Sequence, residues 1–451
     1  MVVEGWLERA ARARPGHAAL ESGGARITYA ELRAAARAGA RALARRGVGR
    51  GQEVAIAMAP GAGFATAVHA CLLAGAVAVP VDPRLSQAER RRVAAGAALV
   101  LEEPLSDTPP GEEPLAVHDL DAVAVVIHTS GTTALPRPVR LTYGNLLWSA
   151  LGSAVALATG PQERWLCALP LSHVGGLSIL IRSAIHASTA VLHERFDTER
   201  VVHALRGERI TTVSLVATTL ARLLEAGLRE PPTLRCALTG GGPVPAALLT
   251  RAREAGVPVS QTYGLTEACS QVSTVPIRAA DRSEGGARGA GPPLFCTRVR
   301  IDTDGEILVA GPTVAPAAAS ATDGWLHTGD LGLLDERGSL RVTGRRAETI
   351  VSGGENVAPA EVEAALEEHP GVLESAVVGR ADPEWGEAVT AIVVASPGAR
   401  LDEAQLRAHC AARLARYKVP KQVVLTVEPL PRTPSGKLLR RELRHRCHNY
   451  L

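Results

Sequence analysis

A chain of 451 residues is too long for one hydrophobic core, so two or more domains are expected. Its 46% hydrophobic and 21% charged residues are the balance of a soluble globular protein, and a net charge of +3, with Lys and Arg interleaved among Asp and Glu, argues against nucleic acid as a partner. Seven cysteines, widely spaced and without a Cys-x-x-Cys pair, fit neither a disulfide framework nor a zinc site and read as buried thiols of a reducing cytoplasm.

The N-terminus, MVVEGWLERAARARPG, carries charges through its apolar positions, which predicts the start of an amphipathic helix and not a signal peptide. The longest apolar stretch, FATAVHACLLAGAVAVPV, is interrupted by His69 and Pro80. It predicts a helix leading through Gly75 into a short strand, so no integral membrane segment is expected. Short β-branched runs (EVAIAM, AVAVPV, AVAVVIH, RWLCALP, TAVLH, TTVSLV, LRCALTG) alternate with alanine- and arginine-rich helical stretches, the pattern of parallel sheets covered by helices. Beyond residue 290, RVRID, TDGEILVAG and LGLLDERGSLRVTGR are strands joined by Asp-Gly or Arg-Gly turns, which predicts an antiparallel sheet or small barrel. A third texture follows Arg345: a helix in AEVEAALEEH, strands in ESAVVGR and AVTAIVVAS, and a helix capped by Asp402. The expected division is therefore an N-terminal domain of residues 1–345 and a small α+β domain of residues 346–451.

Behind the run AVAVVI stands HTSGTTALPRPVRLTYGN, His128 to Asn145. A strand, then small polar residues, then a helix from about Gly144 offers backbone N–H groups and hydroxyls to phosphate oxygens. It is no Walker loop, since GxxxxGK[ST] is absent. In QTYGLTEACS, Thr266 and Glu267 provide a hydroxyl and a carboxylate suited to a magnesium ion bridging phosphates. GWLHTGDLG puts Asp330 beyond a glycine, where a carboxylate can accept both hydroxyls of a ribose; GRRAETIVSGGEN begins with paired arginines and runs into a double glycine; PRTPSGKLLRREL sets Lys437 on an exposed turn. Singly, each is better explained as a polar turn, a surface carboxylate, half an ion pair or a solvated charge. Together and in this order they are not.

The set TSGTT, ALPLSHVGG, TGGGPVP, QTYGLTE, GWLHTGD, GRR, SGGEN and PRTPSGK resembles the acyl-adenylate-forming superfamily of acyl-CoA synthetases, adenylation domains and luciferases. The resemblance extends to ITYAELRAAARAGARALARRGVGRGQEVAIAM and so covers almost the whole chain. It implies an α/β fold: a large N-terminal domain of stacked mixed sheets with helices and a small antiparallel sub-barrel, then a small, mobile C-terminal α+β lid. The implied activity joins ATP and a carboxylic acid into an acyl-adenylate, then transfers the acyl group to coenzyme A, with Mg2+ as cofactor. By the match, Thr129, Ser130, Gly131, Thr132, Thr133 and Arg137 would hold the β- and γ-phosphates, and Gly240, Gly241 and Gly242 would border the adenine. Thr262, Tyr263 and Gly264 would line the adenine and acyl pocket, Thr266 and Glu267 would serve the α-phosphate and metal, and Asp330 and Arg345 would hold the ribose. Lys437 would bridge the acid and the α-phosphate, His173 would gate the acyl pocket, Gly353 and Gly354 would meet coenzyme A, and Ala347 would stand at the domain hinge.

Within the superfamily, TYGNLLWSALGSAVALATG and the stretch from Arg164 to Asp197 are similar to the o-succinylbenzoate-CoA ligases of menaquinone biosynthesis. Their substrate is an aromatic dicarboxylate, and Arg182 matches an arginine that would bind the carboxylate that does not react; a guanidinium fork suits that task. Ala134 and Pro138 replace the usual glycines of the phosphate loop and Arg137 its lysine, which leaves a cation on a stiffer loop. Three alternatives stay open on sequence: a ligase for another aryl or fatty acid, a stand-alone adenylation enzyme that loads a carrier protein, and a nucleotide-binding protein without catalysis.

Overall fold

The computed structural model describes residues 1–105, 114, 116–129, 137–277, 289–352, 355–383, 385–433 and 438–447. Two large sheets form the first part of the chain. A five-stranded sheet runs in the order Leu99–Leu101, Glu53–Ile56, Val77–Pro80, Val123–Thr129, Arg137–Thr142, parallel except for its last pair. An eight-stranded sheet runs Ser270–Thr274, Val259–Leu265, Cys236–Thr239, Thr212–Leu215, Arg164–Cys167, Thr189–Leu192, Ala18–Ser22, Ala25–Thr28, with a parallel centre and an antiparallel pair at each edge. The β-branched runs form the interior strands, which are buried on both faces and so read as continuous apolar stretches.

One core joins the two sheets, and the helices Ala62–Ala74, Tyr143–Leu157 and Val174–His186 pack within it. Helix Ala62–Ala74 is apolar on every side and buried along most of its length. It ends as predicted at Gly75, whose φ of 69° is the left-handed cap that glycine adopts without strain. That burial accounts for the long apolar stretch of the sequence; among the described residues no helix is long and apolar enough to cross a membrane.

The loop behind AVAVVI has a different setting from the expected one. The helix expected from about Gly144 is present, but a strand that the sequence pattern does not predict stands before it. Strand Arg137–Thr142 returns antiparallel along Val123–Thr129, with Thr129 opposite Arg137, and residues 130–136 lie outside the described residues. Pro138 masks this strand in the sequence, yet the strand lies at the sheet edge, where a proline is tolerated. The helix follows at Tyr143, fixed by a capping box in which Thr142 and Asn145 bond reciprocally.

Beyond residue 290, Arg298–Ile301, Glu306–Ala310, Leu326–Leu334 and Leu340–Arg345 make a four-stranded antiparallel sheet. A last sheet takes all of its strands from residues 350–426, and helices Pro359–Glu367, Glu403–Ala411 and Arg440–Cys447 pack near it. Asp402 caps its helix by accepting from the Gln405 amide at 2.8 Å.

Candidate active site

Strand register assembles the site. Cys236–Thr239 lies parallel to Val259–Leu265 with Thr239 opposite Gln261, so Gly240, Gly241 and Gly242 emerge beside Thr262, Tyr263 and Gly264. A Cβ on Gly240 would stand 2.7 Å from the Thr262 methyl and 2.9 Å from its carbonyl oxygen, which explains a glycine where the two segments touch. Gly241 has φ of 80°. The Thr262 hydroxyl is already engaged, donating to Ser273 O at 2.8 Å and lying 2.9 Å from the Thr274 hydroxyl. Thr262 therefore contributes surface to its surroundings more than a spare donor.

At Tyr263 and Gly264 the register of the pair shifts in a bulge. A Cβ on Gly264 would coincide with the Ser270 carbonyl. The bulge leads into the one-turn helix Thr266–Ala268, which packs against strand Arg137–Thr142. Ala315 donates to the Glu267 carbonyl at 2.8 Å, which fixes the Glu267 backbone. The turn carrying Thr266 and Glu267 thus stands against the strand that begins at Arg137.

Tyr263 connects this region to the four-stranded sheet. Its hydroxyl donates to Asp330 Oδ2 at 2.7 Å, and burial, reinforced by that carboxylate, pushes the phenol well above its ordinary pKa. Asp330 is buried and lies opposite Arg345 in the strand ladder; the Arg345 Nε contacts its other carboxylate oxygen at 2.7 Å. The two residues expected to hold the ribose are thus one ion pair. Ala347 follows in the exposed turn Arg346–Glu348.

The two residues expected to meet the acid, His173 and Arg182, lie at the N-cap and within helix Val174–His186. His173 is its N-cap residue, with Nε2 4.0 Å from Asp82 Oδ2; the same oxygen accepts from Ser172 at 3.1 Å. Burial works to raise the Asp82 pKa, but hydrogen bonds from Arg84 and Ser172 outweigh it and hold the carboxyl at about 2. Arg182 is 3% exposed, and burial lowers its pKa to about 10. Its Nη2 donates to Ser149 Oγ at 3.0 Å, its Cζ lies 5.7 Å from the centre of the Trp165 ring, and its buried Nε has no hydrogen-bond partner among the described residues. No described carboxylate pairs with it. Ser149 in turn donates to Cys269 O at 2.6 Å, just past Thr266–Ala268.

The structure therefore brings Thr266, Glu267, Gly240–Gly242, Thr262–Gly264, Asp330 and Arg345 into one connected region, packs the strand that begins at Arg137 opposite Thr129 against its Thr266–Ala268 turn, and ties Arg182 to it through Ser149. Ser130, Gly131, Thr132, Thr133, Gly353, Gly354 and Lys437 lie outside the described residues. Lys437 is bracketed by the bridge between Arg432 and Leu438 and by Arg440, which binds Glu348 and Glu363. Sequence reasoning missed Ser149, Asp82 and Glu348. No motif marks them, and only tertiary packing shows what each one touches.

Residues 7–317 match the AMP-binding enzyme family and residues 361–437 match the AMP-binding enzyme C-terminal domain. The chain is 39% identical to a 2-succinylbenzoate–CoA ligase of Bacillus subtilis, with 97% of each protein covered. Among solved structures it is similar to the Bacillus subtilis o-succinylbenzoate CoA synthetase in complex with its acyl-adenylate intermediate (TM-score 0.89, 38% identity, 98% of both chains). It is also similar to that synthetase with ATP and a magnesium ion (TM-score 0.88, 38% identity, 98% of this chain and 100% of that one). The sheets described above are those of the adenylate-forming fold, and the chain belongs to the AMP-binding enzyme family.

Proposed function

We propose that the protein is an ATP-dependent acid–CoA ligase that converts 2-succinylbenzoate first to its acyl-adenylate and then to its CoA thioester, in menaquinone biosynthesis. The observation that carries the choice of acid is Arg182. A guanidinium buried without a carboxylate partner and with an unused Nε is costly unless a ligand supplies the anion, and a second, unreacting carboxylate does so. Relatives named for this acid match 97–98% of the chain.

The chemistry asks little of general acid–base groups. A carboxylate is ionised at neutral pH, so its approach to the α-phosphate is limited by like-charge repulsion and by orientation. Arg182 would fix one end of the acid, with His173 at the side of the pocket. Thr129–Thr133 and Arg137 would hold the β- and γ-phosphates, Gly240–Gly242 would flank the adenine, and Asp330 with Arg345 would take the ribose. Lys437 would place a cation where charge builds. Thr266 and Glu267 are oxygen donors of the kind magnesium takes beside phosphates and would hold it; bound, the ion offsets phosphate charge. Gly353 and Gly354 would meet coenzyme A. We place the domain boundary after Arg345, with Ala347 as the hinge of the smaller C-terminal domain, because the last sheet uses only residues from 350 onward. The free thiols among the described cysteines favour a cytoplasmic site of action.

The deciding experiment is ATP–pyrophosphate exchange across aryl, fatty and amino acids, followed by thioester formation with CoA. Exchange and thioester should be greatest with 2-succinylbenzoate and be lost in Lys437→Ala. Preferential turnover of another acid would overturn the substrate, and absence of exchange with every acid would overturn the enzyme.

A further inference from the structure

One hydroxyl in the core connects the two halves of the proposed reaction site. Ser149 lies on helix Tyr143–Leu157 and is 1% exposed. A serine hydroxyl has one proton and two lone pairs, while a guanidinium offers donors only. The direction of each hydrogen bond follows: the Ser149 proton goes to Cys269 O at 2.6 Å, and its lone pair receives Arg182 Nη2 at 3.0 Å. No other hydrogen-bond acceptor for Arg182 is found among the described residues. Trp165 backs the guanidinium, and that ring is itself held by its Nε1 donating to Ser214 Oγ at 2.9 Å.

Cys269 fixes the other side. It adopts a left-handed conformation, φ 54°, at the end of the turn Thr266–Ala268. The same serine oxygen therefore holds both the arginine proposed to bind the acid and the segment that carries Glu267. With Nη2 and the ring face occupied, Nε is the buried donor left over. Removing the Ser149 acceptor would leave a second buried donor unsatisfied and release the fork from its orientation.

We propose that Ser149 is a positioning residue that sets selectivity for a dicarboxylate by orienting Arg182. This rests on the reading of Arg182 as the anchor of the unreacting carboxylate. The test compares kcat/KM in the exchange reaction for 2-succinylbenzoate and for 3-benzoylpropionate, the same skeleton without the ring carboxylate. The ratio of the two does not depend on the folded fraction of a preparation. Ser149→Ala should lower the value for the dicarboxylate by about tenfold, the scale of one hydrogen bond to a charged group. The change should lie in KM for that acid, with the monocarboxylate and KM for ATP nearly unmoved. Ser149→Cys, which keeps the volume but accepts poorly, should shift the ratio in the same direction. An equal decline for both acids, or an unchanged ratio, overturns the proposal. Arg182→Met separates the two levels: if it abolishes the preference while both Ser149 variants keep it, only the role of Ser149 fails. If Arg182→Met leaves the preference intact, the assignment of the anchor fails.

Discussion

Gly264 is the residue at which a local rule decides the site. The bulge at Tyr263 and Gly264 leaves no room for a Cβ, because the Ser270 carbonyl occupies its place. The glycine stands out in the motif QTYGLTE, but its reason does not, since the carbonyl arrives from a strand that pairs only in the folded sheet. Gly264→Ala has to push Ser270 away and with it the turn holding Thr266 and Glu267, at a cost of about 3 kcal/mol. Loss of pyrophosphate exchange together with a lowered melting temperature is expected; full activity would refute the steric account. The phosphate loop gives the complementary case. Arg137 and Pro138 lie on an edge strand paired antiparallel with Val123–Thr129, so the stiffness that Pro138 brings is at the base of the loop. Restoring the family pattern with Ala134→Gly, Arg137→Lys and Pro138→Gly should therefore change KM for ATP more than kcat, as steady-state kinetics with saturating acid would show.

Among the elements, helix Pro359–Glu367 was legible from its apolar spacing, whereas strand Arg137–Thr142 was not, because its pattern contains a proline that only edge position excuses. Spacing also says nothing about which charges meet across elements. Glu367, at the end of that helix, has its pKa raised to about 7 by burial and by neighbouring Glu363. Its folded-state pKa thus exceeds the ordinary glutamate value of 4.5, so the folded protein binds more protons between those limits and loses stability as pH rises through about 7. Glu367→Gln removes that loss. The variant should melt at the same temperature as the parent near pH 4 and at a higher one at pH 8, with the gap opening between. A constant gap at all pH values would contradict it.

At the scale of the whole molecule, the order of motifs along the chain made the family legible, while the connection between its two parts was not. Arg440 marks where the C-terminal side of that connection begins. Its Nε binds Glu348, one residue past the proposed hinge, at 2.9 Å, its Nη2 donates to Glu363 at 2.9 Å, and its Nη1 donates to Val377 O at 3.0 Å. All three partners lie beyond Ala347, so the arginine fastens the first residue after the hinge to the body of the C-terminal part. On the proposed hinge, backbone change would fall within residues 345–347. Breaking a buried pair by removing one partner leaves the other charge uncompensated, and Glu363 is itself buried. Arg440→Met should therefore destabilise the C-terminal part by about 3 kcal/mol. Scanning calorimetry of the parent is expected to resolve two transitions, and the substitution should lower one and leave the other in place. A single transition in the parent, or an equal shift of both, would mean that the two parts unfold as one and that the boundary after Arg345 is misplaced.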